Sequence, residues 1–210
     1  MALRAVVFDY GMVLTGQPDK AAHDEMVRIT GLSVEKFERL YWADRHAYDE
    51  GKLTGVAFWQ KFLRDAQLDL PASAVDELNA CDARMWTTEN PAMVAWQLQL
   101  KAHGLRTAIL SNMGDSVLAS ITVAFPWIAN FDVAVWSYQL NMAKPAPAIY
   151  THTLAQLGVE APEALFIDDR LDNVEAARAL GMTALQFSTV DLLRHDLQAA
   201  GLSAALPLPA

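Results

Sequence analysis

From Leu105 onward the sequence alternates short apolar runs with helix-forming segments, and that rhythm admits few folds. Leu105 to Leu110, Phe131 to Val135, Ala164 to Ile167 and Thr183 to Phe187 read as strands. Asp115 to Phe125, Pro147 to Leu157, Asp172 to Leu180 and Asp191 to Ala200 read as the helices between and after them. An earlier run, Ala5 to Phe8, is β-branched and aromatic without alternation, as expected of a strand covered on both faces. Repeated strand-helix alternation predicts an α/β fold, a doubly wound parallel sheet with helices on both sides.

Between the first strand and this series the period changes. From about Asp19 to Trp86 apolar residues recur at helical spacing, as in Val34, Phe37, Leu40 and Tyr41, or Phe58, Trp59, Phe62 and Leu63. Gly31, Glu50-Gly51 and Pro71 divide this stretch into about four helices, a small bundle inserted after the first strand. Asn90-Pro91 then reads as an N-cap with proline in the first turn, and Gly104 as the stop of that helix. A length of 210 residues suits a core domain with one inserted module.

With 53% hydrophobic and 20% charged residues, the chain can bury a sizeable core. Its formal charge of −9 argues against nucleic acid or an anionic membrane face as partner, since both need clustered Lys and Arg. A phosphate ligand would need local positive charge from a cation and a lysine. Cys81 is the lone cysteine, so no intrachain disulfide forms, and it is expected in the core. The N-terminus lacks the pattern of a signal peptide, and no apolar run reaches the roughly 18 residues of a membrane span. A cytoplasmic monomer or homodimer is expected.

In a sheet of this kind ligands bind beyond the carboxyl ends of the strands. Asp9 follows the first strand, Ser111-Asn112 the second, and Asp168-Asp169 the Ala164 to Ile167 run, while Lys144 precedes a helix beginning near Pro145. Three carboxylates, a hydroxyl, an amide and an ammonium are thus predicted on one rim. Adjacent acids at the end of an apolar strand are costly without a compensating cation. Magnesium, which takes oxygen ligands and also binds substrate phosphate, is the expected ion.

Four segments, Phe-Asp-Tyr-Gly-Met-Val-Leu at 8–14, Leu-Ser-Asn at 110–112, Lys-Pro at 144–145 and Phe-Ile-Asp-Asp-Arg-Leu-Asp-Asn at 166–173, resemble the ordered motifs of haloacid dehalogenase (HAD) superfamily hydrolases. The resemblance spans nearly the whole chain. It implies a Rossmannoid core at 1–15 and 88–210 and an α-helical cap at 16–87. It further implies a magnesium-dependent phosphatase acting on a small phosphorylated metabolite through an aspartyl-phosphate. Asp9 would be the nucleophile, and Ser111, Asn112 and Lys144 would hold the phosphoryl group. Asp9, the Gly11 carbonyl, Asp169 and Asp168 would form the metal site, with Asn173 supporting it from one turn further on.

Gly11 departs from the pattern. Most phosphatases of this family carry there a second Asp that protonates the leaving group and then activates water, a contribution of about 10²–10⁴-fold. Three explanations stand: a cap residue such as Asp44 or His46 substitutes, the substrate has a good leaving group, or the protein is a non-catalytic binder of phosphometabolites. The rival enzyme is a metal-independent 2-haloacid dehalogenase, a branch that also lacks the second Asp but typically has Tyr at that position. The Asp168-Asp169 pair and the existence of phosphatases with a glycine in the first motif favour the phosphate ester. Trp42, Arg45, His46, Tyr48 and Trp59, around the helix breaks of the inserted segment, are the candidates for substrate contact.

Overall fold

A computed structural model of the chain describes residues 2–210. Its centre is a five-stranded, all-parallel sheet of β1 (Ala5–Phe8), β2 (Arg106–Ser111), β3 (Val133–Trp136), β4 (Ala164–Asp168) and β5 (Thr183–Gln186), in the order β3-β2-β1-β4-β5. The chain steps outward from β1 through β2 to β3, then returns to the other side of β1. The point where the order reverses therefore lies at β1, where a crevice opens beyond the strand ends.

Period-two alternation within fully buried strands sorts their side chains into two cores. Val6, Phe8, Ile109, Leu165 and Ile167 face α6 (Pro91–Ala102), α7 (Asp115–Ala124) and α11 (Val190–Ala199). Ala5, Val7, Ala108, Leu110 and Phe166 face α9 (Pro147–Leu157) and α10 (Leu171–Ala179). Both faces of the sheet are covered, which accounts for the absence of polar alternation along β1.

The helices begin and end where the sequence places them to within a residue or two. Asn90 Oδ1 accepts from Met93 N–H at the start of α6, and Gly158, in the left-handed region, closes α9. β3 starts two residues later than the apolar pattern implies. Residues 126–130 form a 3₁₀ turn instead, and the Asp132 carboxylate is drawn to the Thr107 N–H at 2.7 Å.

Residues 20–85 form five helices rather than about four: α1 (Lys20–Thr30), α2 (Val34–Ala43), α3 (Arg45–Asp49), α4 (Gly55–Ala66) and α5 (Ser73–Met85). The additional break falls at Asp44, whose φ of −115° and ψ of 5° interrupt the spiral. These helices enclose a core of their own around Phe37, Tyr41, Phe58, Trp59, Phe62 and Leu78, where Cys81 is also buried. A four-residue helix, α8 (Ser137–Leu140), follows β3 directly. Among the described residues no helix is long and apolar enough to cross a membrane.

Candidate active site

The register of the central strands brings the acids together. Phe8 pairs with Ile109 on one side and Ile167 on the other, so Asp9 and Asp168, each one residue further, lie level at the rim. The Asp9 N–H still donates to the Ile167 carbonyl at 2.8 Å, which fixes the nucleophile candidate at the strand end. Asp9 Oδ1 accepts from the Tyr10 N–H at 2.7 Å, and the chain then leaves in a wide turn over residues 10–14 closed by the Thr15 N–H on the Tyr10 carbonyl.

Lys144 is the hub. Its side chain is 1% exposed, and its ammonium lies 2.8 Å from Asp9 Oδ1 and 2.6 Å from Asp168 Oδ2. Burial alone would lower its pKa, but Asp168 and Asp9 outweigh burial and hold the ammonium above its ordinary value. The Lys144 backbone is clamped by Asn112: its N–H donates to Asn112 Oδ1 at 2.8 Å, and Asn112 Nδ2 donates to its carbonyl at 2.9 Å. The Asn112 amide is thereby engaged with protein. What it leaves for a ligand is the main-chain N–H beside the Ser111 hydroxyl.

Asp168 is fully buried and saturated. Besides Lys144 it accepts from the Arg170 N–H at 2.8 Å and from Asn173 Nδ2 at 3.0 and 3.1 Å. Asn173 is itself buried, and its carbonyl accepts from the Tyr150 hydroxyl. Asp169 differs. Its main chain is held by Gln186, while no side-chain donor reaches its carboxylate among the described residues.

Ligand atoms of Asp9, Asp168 and Asp169 lie within 4.8 Å of one another. Three carboxylates against one ammonium leave a formal surplus of two negative charges. The Asp9 carboxyl responds: burial pushes it up to about 7, Lys144 opposes this, and Asp168 and Asp169 add to it. Hard oxygen donors with uncompensated charge match a divalent cation.

Asp9, Asp169 and Lys144 lie on the floor of a cavity of about 700 Å³ shared with the inserted helices, while Asp168 is buried outside its lining. Of the candidates for substrate contact, Trp42, Arg45 and His46 line it. Tyr48 and Trp59 do not, because both point into the helical core, where Tyr48 stacks on Phe58 and Trp59 packs against Phe62. Asp44 is also absent from the lining and pairs with Lys61 at 2.7 Å. The lining residues that escaped sequence reasoning include Trp86, which lies over Gly11, and Asp49 at the end of α3. Gly11 has an ordinary extended conformation, φ −62° and ψ 135°, and a Cβ there would sit 3.5 Å from the Trp86 ring. Its lack of a side chain is therefore imposed neither by the backbone nor by a steric clash at Cβ.

Comparison with known proteins agrees with this geometry. The family model for haloacid dehalogenase-like hydrolases matches residues 3–181. Phosphatase MT3486 of Mycobacterium tuberculosis is 32% identical over 191 residues, 88% of this chain and 87% of that protein. Acyl-CoA dehydrogenase family member 10 of mouse is 29% identical over 93% of the chain, which spans only 19% of that protein. Among solved structures, a HAD family enzyme from Bacteroides thetaiotaomicron in complex with magnesium and inorganic phosphate shares the fold, with a TM-score of 0.74 at 20% identity, covering 89% of this chain and 95% of that one. The L-2-haloacid dehalogenase of Xanthobacter autotrophicus does so with a TM-score of 0.67 at 20% identity, covering 95% and 84%. Four ordered motifs, the sheet that gathers them and the family match make one case: this chain belongs to the haloacid dehalogenase-like hydrolases.

Proposed function

We propose that the protein is a magnesium-dependent phosphatase that hydrolyses small phosphate monoesters through an aspartyl-phosphate on Asp9. The observation that carries this reading is the Asp9, Asp168 and Asp169 cluster around the buried Lys144, with Asp9 and Asp169 at the floor of a solvent-reaching cavity. The cation would be held by Asp9, the free carboxylate of Asp169 and the Gly11 carbonyl. Asp168 would add its charge from the position that Lys144, Arg170 and Asn173 fix. When bound, the cation would neutralise the repulsion between this acidic floor and the phosphoryl oxygens.

The chain's own groups account for the rest. The Ser111 hydroxyl, the Asn112 N–H and the Lys144 ammonium hold the phosphoryl oxygens. The Asp9 carboxylate attacks phosphorus as the alcohol leaves, and water then attacks the aspartyl-phosphate and releases phosphate. The named activity of the Mycobacterium tuberculosis relative and the magnesium and phosphate bound by the Bacteroides thetaiotaomicron enzyme support the assignment. A metal-independent 2-haloacid dehalogenase is disfavoured, because it would leave the three-carboxylate cluster without the divalent cation that its surplus charge calls for.

The test is phosphate release from 4-nitrophenyl phosphate and a panel of phosphometabolites, with magnesium and with chelator, for the natural chain and Asp9→Asn. Release should require the cation and vanish in the variant. Equal rates in chelator, or halide release from a 2-haloacid without metal, would overturn the proposal.

A further inference from the structure

Gly11 leaves the nucleophile motif without a proton donor, and across the same cavity stands a carboxyl that no motif contains. Asp49 is the last residue of α3 and lines the cavity together with Asp9 and Gly11. Its position is fixed from two sides. Gly51, at φ +82°, lies so close to the β3–α8 junction that a Cβ there would fall 2.5 Å from the Tyr138 carbonyl oxygen. The Ser137 hydroxyl donates to the Asp49 carbonyl and accepts from the Met113 N–H at 2.8 Å. Met113 follows Asn112, so one bridging hydroxyl joins Asp49 to the loop that carries the phosphate-holding groups.

The carboxyl itself is 15% exposed. Oδ1 accepts from Arg45 Nε at 3.0 Å. Among the described residues no protein donor reaches Oδ2, and that atom is not sealed from solvent, so the cavity is what it faces. Arg45 cannot neutralise it fully. The guanidinium also donates to both oxygens of buried Asp82, at 2.9 and 3.0 Å, so two buried carboxyls share one cation. The charged and titratable groups around Asp49 are Arg45 and His46 on α3, Asp82 on α5 and, through Arg45, Tyr41 on α2; the β3–α8 junction contributes Ser137.

We propose that Asp49 is the general acid and base of the reaction, supplying the proton chemistry that Gly11 cannot. The inference rests on the phosphatase reading of the Asp9 site. In the first step Asp9 forms its bond to phosphorus, the phosphorus–oxygen bond to the alcohol breaks, and the Asp49 carboxyl proton passes to the departing oxygen. In the second step the Asp49 carboxylate takes a proton from water as the water oxygen attacks phosphorus. The bond to Asp9 breaks, phosphate leaves and Asp49 is again protonated. Burial, opposed by Arg45 and reinforced by Asp82, raises its pKa to about 6, close to the working range of a group that must both give and take a proton.

The decisive comparison is Asp49→Asn on two substrates, with folding checked by circular dichroism. The kcat/KM for an alkyl phosphate, which reports the first step alone, should fall by about 10²–10⁴-fold, while that for 4-nitrophenyl phosphate, whose leaving group departs without a proton, should change far less. Asp49→Glu should recover part of the alkyl-phosphate rate. In the natural enzyme kcat/KM for the alkyl phosphate should decline as pH rises through about 6, and this limb stands as the test if the Asn variant does not fold. Equal losses of kcat/KM on both substrates would reduce Asp49 to a support for Arg45 and overturn the inference, as would absence of the pH limb. Failure of the natural chain to release phosphate from 4-nitrophenyl phosphate, or full activity in Asp9→Asn, would instead fell the phosphatase reading beneath it.

Discussion

Lys144→Met isolates the electrostatics of the site. Methionine keeps an unbranched stem of similar volume, so the packing change is small and what remains is the loss of one buried ammonium. That ammonium lies 2.8 Å from Asp9 and 2.6 Å from Asp168. Removing one partner of a buried pair costs about 3–5 kcal/mol. Asp168 retains the Arg170 N–H and Asn173 as donors, and Asp9 can take up a proton, so the lower end, about 3 kcal/mol, is expected. For a chain of this length that corresponds to a fall in Tm of about 6–12 °C, read by thermal unfolding in chelator. The pH dependence has a definite sign. Without the ammonium the folded-state pKa of Asp9, already raised by burial to about 7, rises further above the unfolded value of about 3.9. Its contribution is fully present below the unfolded value and lost as pH rises through the folded pKa; the natural chain completes that loss near pH 7 and the variant continues it, so the deficit should grow as pH rises above about 7. A fall of less than about 2 °C at pH 7, or a deficit that shrinks with rising pH, would refute Lys144 as the compensating charge.

Three further outcomes follow from the same geometry. By titration calorimetry, Asn173→Ala should weaken magnesium binding by about 10–100-fold and Asp169→Ala by more, because the first removes a donor that orients Asp168 and the second a free carboxylate. Gly11→Asp should fold normally, since its backbone is extended and its Cβ meets nothing closer than 3.5 Å, and placed in the Asp49→Asn variant it should restore part of the rate on alkyl phosphates. Gly51→Ala should lower the melting temperature, combining a strained left-handed backbone, about 1–3 kcal/mol, with a collision against the Tyr138 carbonyl.

How far the sequence discloses the site depends on the range of the forces involved. Asp9 and Asp168 are legible because a strand buried on both faces is an unbroken apolar run, and its abrupt end in an acid marks the rim. The clamp between Asn112 and Lys144 is not, since it joins residues 32 apart whose meeting depends on the sheet order. That clamp also changes what Asn112 does: its motif position suggests a side chain aimed at phosphate, whereas the amide holds the lysine. The inserted helices show a sharper limit. Trp42 and Trp59 look alike by periodicity, yet Trp59 is fully buried while Trp42 is half exposed at the cavity, because the rotation of each helix is set by packing between helices. Asp49 carries still less local signal. Its helix is five residues long, and the acid that competes for its cation, Asp82, lies 37 residues from Arg45.

The seam between the inserted helices and the sheet determines which of these residues can act together. Gly114 lies directly under the Tyr48 ring, where a Cβ would come within 2.1 Å of the aromatic carbons, so the loop after β2 and the end of α3 approach as closely as side-chain-free backbone permits. The Ser137 hydroxyl bridges the same two segments. The wall that carries Arg45 and Asp49 is thus attached to the loop that carries Ser111 and Asn112, and Asn112 in turn holds Lys144 against Asp9. One continuous set of contacts, through the Ser137 hydroxyl, the Asn112 amide and the Lys144 ammonium, runs from the inserted helices to Asp9. A substitution at this seam would displace the Asp49 wall relative to the acidic floor and leave the floor itself intact, because β1 and β4 hold Asp9 and Asp168 independently through the sheet register.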